Sequence, residues 1–185
     1  MPLTKEEKKI LLELARGAIE KRLLRGGDPA RPVPEDALRS GGLNEKRGLF
    51  VTLHNDGMLR GCIGAFTSEI PLYKKVEEMA LSAAFMDPRF APLEAGELKS
   101  VNIEISVLSP LREITDVLEI EIGRHGIYII DGSARGVLLP QVAVEQGFDR
   151  EAFLDHTCMK AGLEPGCWKR DVKILVFEAE IFRED

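Results

Sequence analysis

At 185 residues, 44% of them hydrophobic, the chain is long enough to bury a core of its own, and its length fits one domain with room for a smaller lobe. Its 25 Lys and Arg stand against 31 Asp and Glu, a formal charge of -6, which argues against a protein that works mainly by gripping nucleic-acid backbone. Three scattered cysteines do not make a secreted disulfide framework, no apolar run reaches membrane-spanning length, and the charged start at Lys5, Glu6, Glu7, Lys8 and Lys9 lacks a signal-peptide core, so a reducing, cytoplasmic compartment is expected.

The first predicted element is an amphipathic helix over residues 4–24. Thr4 followed by Glu7 makes a capping box, and Ile10, Leu11, Leu14, Ala15, Ala18 and Leu23 fall on one side. Gly26-Gly27 ends it, and a loop broken by Pro29, Pro32, Pro34 and Gly41-Gly42 runs to about Gly48, with one helical turn expected at residues 35–39. So long a loop suits a cover over a cleft.

A hairpin follows, with strands over 49–54 and 58–66 on either side of Asn55-Asp56-Gly57. A three-residue loop would pair Leu53 with Leu59, Thr52 with Arg60 and Phe50 with Cys62. Leu49, Val51, Leu53, Leu59 and Ile63 then share one face, and Phe50, Thr52, His54, Met58, Arg60 and Cys62 the other. A two-residue loop would press Arg60 against Leu53 and bury its charge, so the longer loop is preferred. In that register Arg60 and Cys62 stand two strand steps apart, where a cation favours the thiolate. His54 falls about four steps, or ~13 Å, from Cys62 and is set aside as its base. Gly61 and Gly64 imply a close approach to the strand, by a ligand or by a neighbouring helix. The plain alternative makes Cys62 a small core residue and pairs Arg60 with a carboxylate elsewhere.

Residues 71–85 read as a helix with Leu72, Val76, Met79, Ala80, Ala83 and Ala84 at helical spacing, stopped by Asp87-Pro88-Arg89-Phe90-Ala91-Pro92. Asp87 and Arg89 flank that turn, either as site residues or as a loop salt bridge. Residues 101–108 alternate as a strand with Asn102, Glu104 and Ser106 outward. A second hairpin joins 126–130 to 135–139 across Asp131-Gly132-Ser133, Pro140 opens a short helix carrying Gln141, and a helix over 153–161 precedes a closing strand over 172–182. Hairpins dominate, so the expected fold is α+β, a mainly antiparallel sheet with helices packed on it.

His125, at the mouth of the second hairpin, would transfer protons for Cys62 if the two hairpins meet; otherwise it hydrogen-bonds its own loop. His156 and Cys158, two apart on a helix, are poor joint ligands, and zinc and phosphate-loop spacings are missing, so no metal and no cofactor is assigned.

LRGCIG behind FVTL, Asp87-Pro88-Arg89-Phe90, EISVLSP at residues 104–110, His125-Gly126, LLPQVA at residues 138–143, and FLDHTCMKAGL before Trp168 together resemble the AMMECR domain family, also called AmmeMemoRadiSam system protein A. The resemblance runs over nearly the whole chain. It implies a single domain over 1–185 with two unequal lobes, the larger built from both chain ends, and a cleft between them. Carried over by position are Arg60, Gly61, Cys62, Gly64, Asp87, Arg89, His125 and Gln141. Gly147-Phe148 stands where many relatives have tryptophan. The resemblance implies a pathway shared with a Memo-like protein and a radical SAM protein, while the family carries no established activity.

Two functions follow as expectations. One is a thiol enzyme in which Cys62 attacks, Arg60 holds an anion or favours the thiolate, His125 moves protons, Asp87 orients, and amides near Gly61 and Gly64 stabilise an oxyanion. The other is a non-catalytic module for a nucleotide-like, RNA or peptide ligand, clamped by Arg60 and Arg89 with Gln141 in reach.

Overall fold

The computed structural model describes residues 2–24 and 41–184. The helical turn expected at 35–39 lies outside them. The chain divides into two units, one of Met1–Leu108 with Glu180–Asp185 and one of Ser109–Ala179.

The first unit begins with α1, Lys5–Leu23. Thr4 Oγ1 accepts the Glu7 N–H at 3.2 Å, and the Glu7 carboxylate accepts the Thr4 N–H at 2.8 Å. That reciprocal cap satisfies two amides that helix geometry leaves without partners. Glu7 also accepts the Gly42 N–H at 3.0 Å, tying the helix start to a short 3₁₀ turn at Gly42–Asn44. The fully covered stripe of α1 is Ile10, Leu11, Ala15 and Ile19, while the expected Leu14, Ala18 and Leu23 sit at its half-buried margin.

β1 (Leu49–Asn55) and β2 (Met58–Ala65) form the expected hairpin in a different register. Asn55 pairs with Met58 across a two-residue turn whose central residues, Asp56 and Gly57, have φ of 50° and 76°. Positive φ at both positions matches the twist of the flanking strands, which is why Asp-Gly favours this turn. The one-residue mismatch is absorbed by a bulge between Leu53 and His54, after which Leu53 faces Gly61 and Thr52 faces Cys62. The clash that argued for a three-residue loop is therefore avoided by leaving Arg60 as the extra residue of the bulge. His54 consequently lies two strand steps from the partner of Cys62, where the sequence register had put it four steps away.

β3 (Val101–Leu108) pairs with β1 without interruption, Thr52 opposite Glu104 and His54 opposite Asn102. The strand order in this unit is β2-β1-β3, continued by β7, Lys173–Arg183, whose residues from Glu180 onward belong here. Leu49, Val51, Leu53, Val101, Ile103 and Ile105 are buried on one face, beneath α1 and α2 (Leu72–Phe85). α2 buries the six residues its spacing predicts. Thr52, His54, Asn102 and Glu104 are half-buried on the opposite face.

In the second unit, β5 (His125–Asp131) pairs with β6 (Ala134–Leu138) and with the first part of β7. A three-residue strand that the sequence pattern did not reveal, β4 (Arg112–Ile114), also pairs with β7. Helices α3 (Pro140–Glu145) and α4 (Arg150–Lys160) complete it. Its core gathers Ile127, Ile129, Phe153, Leu154, Ile174 and Val176.

The cysteines correct a sequence expectation. Cys158 and Cys167 are joined in a disulfide, with Cα atoms 5.9 Å apart. Gly162 and Gly166, at φ of 76° and 81°, turn the chain back on the end of α4 and bring the two thiols together. Scattered spacing in the sequence concealed this reversal.

Candidate functional site

Cys62 lies on β2, which ends the strand order of its unit, so one side of its backbone needs partners from outside the sheet. The turn after α2 supplies them. The Cys62 N–H donates to Asp87 Oδ2 at 2.9 Å, and Arg89 Nη2 donates to the Cys62 carbonyl at 3.3 Å. Two side chains thus complete the donor and acceptor pair that another strand would have offered.

The turn is rigid for its own reasons. The Phe90 N–H donates to the Asp87 carbonyl and the Leu93 N–H to the Ala84 carbonyl, and Pro88 and Pro92 prevent α2 from continuing. Within the turn Asp87 accepts the Arg89 N–H at 3.1 Å, Nε at 2.9 Å and Nη2 at 2.7 Å. Asp87 is 4% exposed. The Arg89 guanidinium beside it holds its carboxyl well below the usual carboxylate range, against the opposing cost of burial and with help from the Cys62 and Arg89 amides. Arg89 is raised in turn, first by Asp87, and its guanidinium lies over the Phe90 ring. The guanidinium bonded to Cys62, at its carbonyl, is therefore that of Arg89.

Because the Cys62 N–H points to Asp87, Cys62 and Thr52 form a pair without mutual backbone bonds, the closer of the two antiparallel arrangements for side chains. Thr52 Oγ1 donates to Cys62 Sγ at 3.3 Å. Cys62 is half-buried and is the free cysteine among the described residues.

Arg60 is engaged elsewhere. Its Nε and Nη2 donate to the two Glu97 carboxylate oxygens at 2.7 and 3.0 Å, a two-pronged pair that raises Arg60 and lowers Glu97. Glu97 is itself fixed by the Glu94 N–H at 2.9 Å. The glycines have packing reasons. A Cβ at Gly61 would overlap the Ala83 carbonyl oxygen of α2, and one at Gly64 would overlap the Phe50 ring. The close neighbour that Gly61 implied is a helix backbone.

His125 and Gln141 belong to the second unit. His125 is buried, and its Nδ1 accepts the Glu121 N–H at 3.1 Å while the His125 backbone N–H donates to the Glu121 carbonyl, so the residue closes its own loop. Gln141 Oε1 is buried without a hydrogen-bond partner.

Sequence reading missed Thr52 as the neighbour of Cys62 and Glu97 as the partner of Arg60. The Asp-Gly pair was a signal for the first, since it marks a two-residue turn. Nothing local announces the second across 37 residues.

A family model described as AMMECR1 matches residues 12–182. The chain belongs to the AMMECR1 family. It is 45% identical to protein MK0488 of Methanopyrus kandleri over 99% of this chain and 91% of the relative, and 45% identical to protein MJ0810 of Methanocaldococcus jannaschii over 98% and 92%. A crystal structure of uncharacterized protein PH0010 from Pyrococcus horikoshii is similar at a TM-score of 0.81 and 41% identity, over 95% of this chain and 90% of that one. Among the described residues of this AMMECR1 protein no helix is long and apolar enough to cross a membrane, and no group of three or more His, Cys, Asp or Glu is placed to hold a metal ion.

Proposed function

We propose that this AMMECR1 protein is a cytoplasmic enzyme, or a component of an enzyme pathway, that works through thiol chemistry at Cys62. The supporting observation is the setting of the sulfur. The free thiol is half-buried, receives a hydrogen bond from Thr52, and sits on backbone fixed by Asp87 and Arg89. Such fixing holds a nucleophile in place before a substrate arrives. Arg89, 54% exposed at its side chain and locked by Asp87, offers its remaining N–H groups to an anionic substrate group. Arg60 with Glu97 braces the same strand, and Gln141 offers an unsatisfied acceptor in the second unit. The family resemblance adds a Memo-like protein and a radical SAM protein as pathway partners.

The exposed, pre-set Arg89 also favours a second reading, a non-catalytic module that binds an anionic ligand. Complementation of a deletion strain separates the two. Catalysis requires that Cys62→Ser fail to rescue, whereas a binding module is rescued by Cys62→Ser and lost with Arg89→Ala.

A further inference from the structure

We propose that His54 accepts the proton of the Cys62 thiol and that Glu104 holds the His54 ring, an inference that rests on the thiol reading above. The observed register carries it. Cys62 on β2, Thr52 and His54 on β1 and Glu104 on β3 share one face of three adjacent strands, because Thr52 pairs with Cys62 on one side and with Glu104 on the other. His54 is two residues along β1 from Thr52 and so is the diagonal neighbour of both Cys62 and Glu104. Such neighbours have Cα atoms roughly 7–8 Å apart, within reach of a long or ring-bearing side chain. The opposite face is closed by α1 and α2, while His54, Thr52, Glu104 and Cys62 are all half-buried.

Chemistry assigns the roles. A thiol, an imidazole and a carboxylate in sequence form the nucleophile, base and orienting group of a general design, which is recognised by geometry and not by chain order. In the step proposed, the proton moves from Cys62 Sγ to a ring nitrogen of His54, leaving a thiolate and an imidazolium, and Glu104 accepts a hydrogen bond from the other ring nitrogen. Thr52 Oγ1 stays as hydrogen-bond donor to the sulfur left behind. By register, the titratable neighbours of His54 on the adjoining strands are Cys62 on β2 and Glu104 on β3. Asn102 opposite His54 is neutral, and Arg60 at the bulge is paired with Glu97.

The test is the rate of Cys62 alkylation by iodoacetamide in the intact protein at pH 7 and at pH 10. His54→Gln should slow the reaction about tenfold at pH 7 and leave it unchanged at pH 10, where a thiol ionises without help. Glu104→Gln should slow it about threefold at pH 7 only, and His54→Asn serves as a second variant should His54→Gln misfold. Equal rates in wild type and the His54 variants at pH 7, or the same loss at both pH values, would overturn the proposal. Complementation keeps the two ideas apart: rescue by His54→Gln where Cys62→Ser fails removes His54 and leaves the thiol reading in place, while rescue by Cys62→Ser removes both.

Discussion

Asp87 takes the backbone N–H of Cys62 at 2.9 Å with the same carboxylate that grips Arg89, so one buried side chain closes the edge of β2 and fixes the turn after α2. Asp87→Asn removes the charge from that junction and should cost about 2–3 kcal/mol, the range for losing a buried charged acceptor. The dependence on pH has a definite sign. Asp87 is depressed in the folded protein by Arg89, so its contribution is complete above the unfolded carboxyl value of about 4 and fades as the pH falls further. Urea unfolding at pH 7 and at pH 3 checks this. The gap between wild type and Asp87→Asn should narrow at the lower pH.

Gly61→Ala places a methyl group against the Ala83 carbonyl, where backbone on both sides resists movement. A loss of about 2–3 kcal/mol is expected from the overpacking. Gly57→Ala meets no atom and carries only the strain of φ at 76°, about 1 kcal/mol. Thermal unfolding of both variants ranks them. A milder effect at Gly61 than at Gly57 would contradict the packing of α2 on β2.

The native protein should react with one equivalent of Ellman's reagent, and all three cysteines should react once the protein is denatured and reduced and the reductant removed. The Cys158→Ala, Cys167→Ala double variant should lose about 2–3 kcal/mol, as for a short closed loop. Asp155 still holds that loop through the Gly166 N–H and Trp168 Nε1, both at 2.7 Å, so the second unit is expected to fold without the bond. Mass spectrometry of the alkylated native protein should find the label on Cys62 alone.

Arg60 and Glu97 form a partly covered pair, with side chains 16% and 26% exposed. A double-mutant cycle on Arg60→Ala and Glu97→Ala should give a coupling of about 1 kcal/mol that shrinks in high salt. Coupling near zero would mean the bulge holds its shape without the pair.

Much of the fold was legible because local rules and packing agree. The Thr4 and Glu7 cap, the six buried residues of α2 and the alternation along the first half of β3 each appear where periodicity puts them, while Ser106, expected outward, is buried. Asp56-Gly57 marked the two-residue turn, but the bulge that goes with it was not legible in the hydrophobic pattern, because adding one residue before Gly61 restores the alternation that a short turn disturbs. That single displacement exchanged the cross-strand partner of Cys62, putting Thr52 where Phe50 was expected. Arg60, expected beside Cys62, is paired with Glu97, and the guanidinium on the Cys62 backbone is that of Arg89, which arrives from a turn 27 residues further along. The Cys158 and Cys167 bond depended on two glycines at positive φ, which spacing alone does not disclose.

β7 crosses from one unit to the other at residue 180, and the consequence concerns the order in which the polypeptide becomes complete during synthesis. Residues 109–179 leave the ribosome as one continuous piece able to close on itself. The unit bearing Cys62 must wait for Glu180, which receives the Leu3 amide, Lys8 and Arg47, and for Glu184, which receives Arg16. The thiol-bearing sheet is thus finished after the unit encoded in its middle, and a stalled ribosome halted before residue 180 would expose an unfinished sheet edge beside β3.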